Sequence, residues 1–232
     1  MEKRFVSAII TAAGNSTRMG KDKIFLQLNG NLAVAYTLEA FERADTVDEI
    51  IIVCKNEHRP QIKSIINECC IKKFVKFAQG SSTRQGSVFS GIKACNAAAT
   101  HYAIHDAARC LITSEEINMV VADAWTYNAS ALGVPCKDTI KIVDEENVVV
   151  GTPARSTLRA IQTPQVFDKN LYLAAMKLAL KDNENYTDDC QLVEHMGQKV
   201  HIATGNYSNL KLTTPDDIAI FENILRLRGN EA

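Results

Sequence analysis

The 232-residue sequence predicts a doubly wound α/β fold, a mostly parallel sheet with helices on both faces and a projecting β-hairpin arm. Three observations carry that expectation. Short, continuous apolar runs alternate with segments of helical period, the pattern of βαβ units around a sheet buried on both faces. The length suits one such domain over residues 1–232. Residues 137–152 then break the alternation with two β-rich runs around a turn signal.

In order, residues 5–11 read as a buried strand and 32–43 as a helix with Ala33, Tyr36, Leu38, Ala40 and Phe41 on or near one face. Strand 49–53 precedes helix 59–68. Strand 74–78 precedes helix 84–98, with Ser81, Ser82 and Thr83 as possible caps. Strand 102–106, helix 114–127 with its Thr-Ser-Glu-Glu start, and strand 130–135 complete the alternation. Ligands of such sheets bind at the carboxyl ends of the strands, so the turns after Thr11, Ala78, Asp106 and Pro135 are where chemistry is expected. The runs 139–143 and 148–151 flank Asp-Glu-Glu-Asn and predict the arm. An isolated hairpin is marginal in water, so it should pack against something, and a second subunit is the expected surface. The chain returns through Thr163-Pro164 to helices over 168–180 and 188–196, a strand over 199–203 and a last helix with Pro215 at N1 and Asp216 and Asp217 in its first turn.

The composition, 46% hydrophobic and 23% charged with a net charge of -1, describes an ordinary globular protein and gives no broad basic face for nucleic acid. An anionic ligand would need cations concentrated locally. The seven cysteines include no Cys-x-x-Cys pair, so free thiols in a reducing compartment are expected. No apolar stretch approaches the ~20 residues of a membrane span, and the apolar run near the N-terminus is too short for a secretion signal. A soluble, cytoplasmic protein is expected.

Three segments point to chemistry. The turn after the first strand is Ala12-Ala13-Gly14-Asn15-Ser16-Thr17-Arg18-Met19-Gly20-Lys21-Asp22-Lys23. Small residues let the backbone approach a ligand, successive N–H groups can form an anion-binding nest, and Arg18, Lys21 and Lys23 add positive charge. It is neither a P-loop nor a G-x-G-x-x-G fingerprint, and a solvated βα turn has the same composition. At Ile104-His105-Asp106-Ala107-Ala108-Arg109, Asp106 ends a buried strand, where it could hold Mg²⁺ or phosphate-bound water, or merely cap the next turn. His105 points to the other face of the strand and reads as a packed histidine rather than a catalyst. The third, Gly80 to Ser87, is a small polar turn suited to a base or sugar edge, or to plain helix capping. Lys141, Arg155, Arg159 and Lys211 are single cations that would ordinarily lie on the surface.

Taken together, these segments resemble the 2-C-methyl-D-erythritol 4-phosphate cytidylyltransferase family, Rossmann-like nucleotidyltransferases. The matching stretches are Ala12-Ala13-Gly14 to Arg18-Met19-Gly20, Lys23 with Phe25-Leu26, Arg84 with Ser87-Val88, His105 to Arg109, Asp138-Thr139, Thr163-Pro164-Gln165, Thr187-Asp188-Asp189, and Asn209-Leu210-Lys211 with Pro215 to Asp217. They follow the family's order across nearly the whole chain. The resemblance implies that Arg18 and Lys23 stabilise the transition state and that Thr139, Arg155 and Lys211 position the methylerythritol phosphate. It makes Ala12, Ala13, Gly14, Ser82, Ser87, Asp106 and Ala107 the candidate CTP contacts, with Asp106 in the region of a Mg²⁺ ion. It implies a homodimer whose arm, 137–152, reaches the partner's site and puts Thr139 and Arg155 there in trans. Departures are Asp22-Lys23-Ile24 where Pro-Lys-Gln is common, Ser81 for a second Gly, Gly86 for an acidic residue and Cys110 for Pro.

The implied reaction joins CMP from CTP to a small phosphorylated alcohol. A ribitol-5-phosphate cytidylyltransferase shares the fold, loop and arm, a uridylyl- or guanylyltransferase for a sugar phosphate belongs to the same class, and a non-catalytic nucleotide-binding regulator could use the same scaffold.

Overall fold

The computed structural model describes residues 4–14 and 22–230. In chain order its elements are β1 (Val6–Thr11), β2 (Gln27–Leu28), β3 (Asn31–Leu32), α1 (Ala33–Arg43), β4 (Glu49–Cys54), α2 (Arg59–Glu68), β5 (Phe74–Gln79), α3 (Arg84–Ile92), β6 (His101–Asp106), α4 (Ser114–Tyr127), β7 (Ala129–Pro135), β8 (Ile142–Val143), β9 (Val149–Gly151), β10 (Arg159–Asp168), α5 (Lys169–Lys181), α6 (Asp189–His195), β11 (His201–Thr204) and α7 (Asp217–Asn230).

The residues of β4, Glu-Ile-Ile-Ile-Val-Cys, are all buried, and side-chain alternation sorts them onto two faces. Ile50 and Ile52 pack with Leu38 and Phe41 of α1, Ile62 of α2, and Val120 and Val121 of α4. Ile51 and Val53 pack with Val88 of α3, Tyr172 and Met176 of α5, and Leu192 of α6. Each such fully buried side chain contributes about 1.5–3 kcal/mol. The sheet is therefore wound on both sides, as its apolar runs predict. Its seven strands lie in the order β11-β7-β10-β6-β1-β4-β5. β1 is parallel to β4 and β6, and β4 is parallel to β5. The chain leaves β1 for β4 and β5 on one side, then crosses to β6 on the other. The carboxyl ends of β1 and β6 thus flank a switch point, where a crevice opens.

Helix starts follow local chemistry. The Thr83 hydroxyl accepts a bond from Gly86 N and opens α3. Thr113 and Glu116 form a reciprocal capping box on α4. No helix among the described residues is long and apolar enough to cross a membrane.

Four features differ from the sequence expectation. Residues 159–168 form the ten-residue strand β10, antiparallel to both β6 and β7, rather than a simple return. Pro164 and several polar side chains mask it in the sequence. A register shift between Ile161 and Gln165 accommodates the proline, and the polar groups are bonded inside. Gln165 Oε1 accepts from Asp189 N at 3.1 Å and Cys190 N at 3.2 Å, and Gln165 Nε2 donates to Asp188 Oδ2 at 2.7 Å. A second unforeseen feature is the β2–β3 hairpin, turned by Asn29 (φ 46°) and Gly30 (φ 90°). Asn-Gly is the strongest short hairpin signal and could have revealed it. Third, α3 stops at Ile92, not residue 98, because buried Glu49 accepts the Asn96 N–H at 2.7 Å and turns the chain aside. Fourth, α7 starts at Asp217, so Pro215 precedes it. Asp217 Oδ2 accepts from Thr213 N at 2.7 Å and Thr214 N at 2.8 Å.

The arm forms where expected, as β8 and β9 paired antiparallel with Asp144 Oδ1 bracing the turn through Glu146 N and Val148 N. Its Ile142, Val143, Val148, Val149 and Val150 are 46% to 61% exposed, so the arm buries little of this apolar surface against its own chain.

Replacing Gln165 with the near-isosteric Leu should strand the buried Asp189 N–H, while Cys190 N keeps its bond to Asp188 Oδ1, and lower the unfolding free energy by about 1–3 kcal/mol. Urea unfolding measures it, and an unchanged midpoint would show that these bonds do not support β10.

Candidate active site

The crevice at the switch point holds a cavity of about 390 Å³. Four segments build it: Thr11 to Gly14 after β1, Lys23 and Ile24, the turn from Gly80 to Arg84 with Ser87, and Asp106 with Ala108 after β6. Lys55 enters from the end of β4, and Lys211 from the chain before α7. Backbone approach is close here. A Cβ at Gly80 would lie 2.2 Å from Ala13 Cβ, so only glycine lets the turns after β1 and β5 meet.

Asp106 sits at the centre of the charges. Its Oδ2 accepts from Lys211 Nζ at 2.6 Å, and its Oδ1 accepts from Arg84 Nε at 3.3 Å and Thr11 Oγ1 at 3.3 Å. Burial alone would raise the Asp106 pKa, but Arg84 and Lys211 outweigh it and hold the carboxyl well below the usual range. Arg84 also pairs with Asp189, whose other oxygen accepts from Tyr172 OH at 2.6 Å. Burial tends to lower the Arg84 pKa, yet Asp189 and Asp106 raise it above the ordinary value. The guanidinium is thus anchored from behind and lines the cavity. Neighbouring His105 is fully buried, its Nδ1 is 2.9 Å from Thr163 Oγ1, and desolvation pushes its pKa down to about 3. It is a packed neutral histidine, as its place on the strand indicates.

Among the residues singled out from sequence, Ala12, Ala13, Gly14, Lys23, Ser82, Ser87, Asp106 and Lys211 come together around this cavity. Ser87 spends its hydroxyl inside the turn, accepting from Ser81 N at 2.9 Å and donating to Thr83 O at 2.9 Å. Ala107 is not at the cavity. It is wholly buried, its carbonyl accepts from Thr37 Oγ1, and Ala108 faces the cavity instead. The turn after Pro135 is also outside it, and so are Thr139 and Arg155, both exposed beside the arm. Arg155 Nη1 donates to Lys137 O at 3.1 Å. Lys141 and Arg159 remain surface cations. Arg18, Lys21 and the rest of 15–21 lie outside the described residues.

Three contributors went unrecognised in the sequence. Lys55 lies two residues past the strand expected over 49–53 and directly after the observed β4, so the strand-end rule could have found it. Arg84 stood out only as part of a matching stretch. Asp189 likewise stood out only within the stretch Thr187-Asp188-Asp189; its pairing with Arg84 across 105 residues is announced by no local signal.

The described residues contain no group of three or more His, Cys, Asp or Glu placed to hold a metal ion. Asp106 offers one ionised carboxylate at the cavity. That fits a Mg²⁺ ion held mostly by phosphate oxygens, which takes one or two carboxylates from the protein.

A carboxyl whose folded pKa is depressed stabilises the fold fully above its unfolded pKa, about 3.9, and loses that contribution as pH falls toward the folded value. Asp106→Asn should therefore unfold at lower urea than the parent at pH 7, and the gap should narrow as pH drops below about 4. Urea titrations at several pH values measure this, and a gap that is constant with pH would contradict the ion pairs.

The family model described as 2-C-methyl-D-erythritol 4-phosphate cytidylyltransferase (IspD) matches residues 6–227. A protein of that name from Caldanaerobacter subterraneus subsp. tengcongensis is 42% identical over 224 residues, covering 95% of this chain and 99% of its own. One from Bacillus mycoides is 40% identical, covering 95% and 97%. Among solved structures, the 4-diphosphocytidyl-2C-methyl-D-erythritol synthase of Anaerococcus prevotii superposes with a TM-score of 0.87 at 34% identity, over 96% of each chain. The Thermus thermophilus cytidylyltransferase gives 0.78 at 28% identity, over 96% of this chain and 99% of its own. With the sheet, the crevice and the ordered motifs agreeing over almost all its length, the chain belongs to the 2-C-methyl-D-erythritol 4-phosphate cytidylyltransferase family.

Proposed function

We propose that this enzyme transfers CMP from CTP to 2-C-methyl-D-erythritol 4-phosphate, giving 4-diphosphocytidyl-2-C-methyl-D-erythritol and pyrophosphate. The observation that carries this reading is the cavity itself, where Lys23, Lys55, Arg84 and Lys211 converge on the strand ends around a single carboxylate.

The acceptor is a phosphomonoester with a second pKa of about 6, so at neutral pH it is mostly a dianion and needs no general base. The obstacle is repulsion. Two unit charges ~4 Å apart cost about 4 kcal/mol at an effective dielectric of ~20, and each reactant carries more than one. The protein must supply positive charge and alignment. In this reading the backbone of Ala12, Ala13 and Gly14 receives the triphosphate, and the turn from Gly80 to Ser87 receives the base and sugar. Lys23, with Arg18, neutralises charge growing on the α-phosphoryl oxygens. An acceptor phosphate oxygen attacks the α-phosphorus as the bond to pyrophosphate breaks. Lys211 holds the acceptor phosphate. Asp106 would hold a Mg²⁺ ion together with the nucleotide's phosphates, and that ion supplies further charge neutralisation.

The exposed apolar arm favours a homodimer in which 137–152 lies over the partner's cavity, which would bring Thr139 and Arg155 to the acceptor in trans. The free thiols of the described cysteines suit a cytoplasmic setting.

Lys23→Ala should lower kcat by about 10²–10³ while leaving the fold intact, followed as pyrophosphate release. Parallel assays with methylerythritol phosphate and ribitol 5-phosphate identify the acceptor, and turnover only with the second would replace this proposal. Arg155→Ala should raise KM for the acceptor and leave KM for CTP unmoved. At acceptor concentrations well below the raised KM, mixing Lys23→Ala and Arg155→Ala subunits should restore activity, because a heterodimer sharing sites in trans contains one intact site. No restoration would place Arg155 in cis.

A further inference from the structure

Lys23 occupies a short segment fastened on both sides. Residues Lys23–Phe25 form one turn of 3-10 helix, closed by Phe25 N donating to Asp22 O at 3.0 Å. Ile24 is buried in the core, 5% exposed. The Phe25 ring meets the His58 imidazole edge-on, with centroids 5.1 Å apart and planes at 87°. Asp22 occupies the N-cap position of this turn, yet its side chain makes no capping bond. Its carboxylate turns away and meets His58, with Nε2 to Oδ2 at 3.0 Å. His58 itself is 6% exposed, and its Nδ1 has no partner among the described residues. Its Nε2 also lies 3.7 Å from the exposed Glu57.

The His58 ring thus touches the Lys23 turn twice, by packing on Phe25 and by its bond to Asp22. His58 stands at the head of α2, three residues after Lys55, and its backbone N–H donates to Lys55 O at 3.1 Å. Lys23 and Lys55 both line the cavity. His58 is therefore linked to both segments, by its ring to the Lys23 turn and by its backbone to Lys55 at the end of β4. A capping Asp would be satisfied locally. This one is spent on a contact 36 residues away in sequence.

We infer that Asp22 and His58 are positioning residues for catalysis: their bond holds Lys23 against the α-phosphate site. Neither lines the cavity. This rests on the role proposed above for Lys23.

The test is a double-mutant cycle read as single-turnover and steady-state CMP transfer from radiolabelled CTP, with thermal unfolding followed alongside. Displacing a catalytic group by as little as ~1 Å can cost up to about 10²-fold. Asp22→Ala and His58→Phe should each lower kcat by about tenfold, with KM for CTP within about twofold of the parent. His58→Phe keeps the aromatic packing and loses only the donor. Asp22→Asn keeps an acceptor oxygen for His58 and should retain most of kcat. On a Lys23→Ala background, Asp22→Ala should cost nothing further, because the group it places is gone. Parent-like kcat in Asp22→Ala and His58→Phe, or an equal loss from Asp22→Ala with and without Lys23, overturns the inference while leaving the Lys23 assignment standing. Parent-like kcat in Lys23→Ala alone overturns that assignment and this inference with it.

Discussion

A site that handles two phosphates must hold several cations close together before any phosphate arrives, and those cations repel one another. Asp106 resolves that conflict. Its carboxylate lies between Lys211 and Arg84 at the end of β6, ionised despite burial because they surround it. Arg84 is further shared with buried Asp189, whose pKa burial raises even though Arg84 opposes it. Removing either carboxylate would leave positive charge uncompensated in a low-dielectric crevice, where unpaired charges are costly. The cavity is held open by this alternation of signs, and much of the surrounding architecture exists to deliver its members. Two strand ends, the head of α3 and the chain before α7 each bring one or two of them.

Most of the central architecture was legible from β1 to β7 because those strands are apolar on both faces and the helices between them repeat at helical period. The run Ile-Ile-Ile-Val in β4 admits few other readings. Illegibility began where burial is polar. Arg159–Asp168 spends Gln162, Thr163 and Gln165 on bonds to Asn206, Asp106, His105, Asp189 and Cys190, so polar residues interrupt the apolar run between Ile161 and Val166 that would have marked a strand. The same holds for Glu49, which ends α3 early by accepting a backbone N–H from Asn96.

The site was legible in proportion to how local its signals are. Ala12, Ala13 and Gly14 stand in the turn that the strand-end rule singles out, and so does Asp106. Lys211 could be assigned only by family resemblance, since a lone lysine 105 residues from Asp106 announces nothing by itself. Ala107 and Ala108 could not be told apart, because which alanine faces a cavity depends on a turn geometry that two identical side chains do not encode. Arg84 shows the converse. It sits at a helix start with no pattern of its own, yet it links the two carboxylates.

The antiparallel placement of β10 has a bearing on how the chain is made. β6 and β7 are translated before it, and in the finished sheet neither touches the other; each pairs with β10. Until residue 168 has left the ribosome, both strands present raw backbone edges in the middle of a nearly assembled molecule, the kind of surface that recruits other nascent chains. Joining the two halves of the sheet is thus deferred to the last third of synthesis.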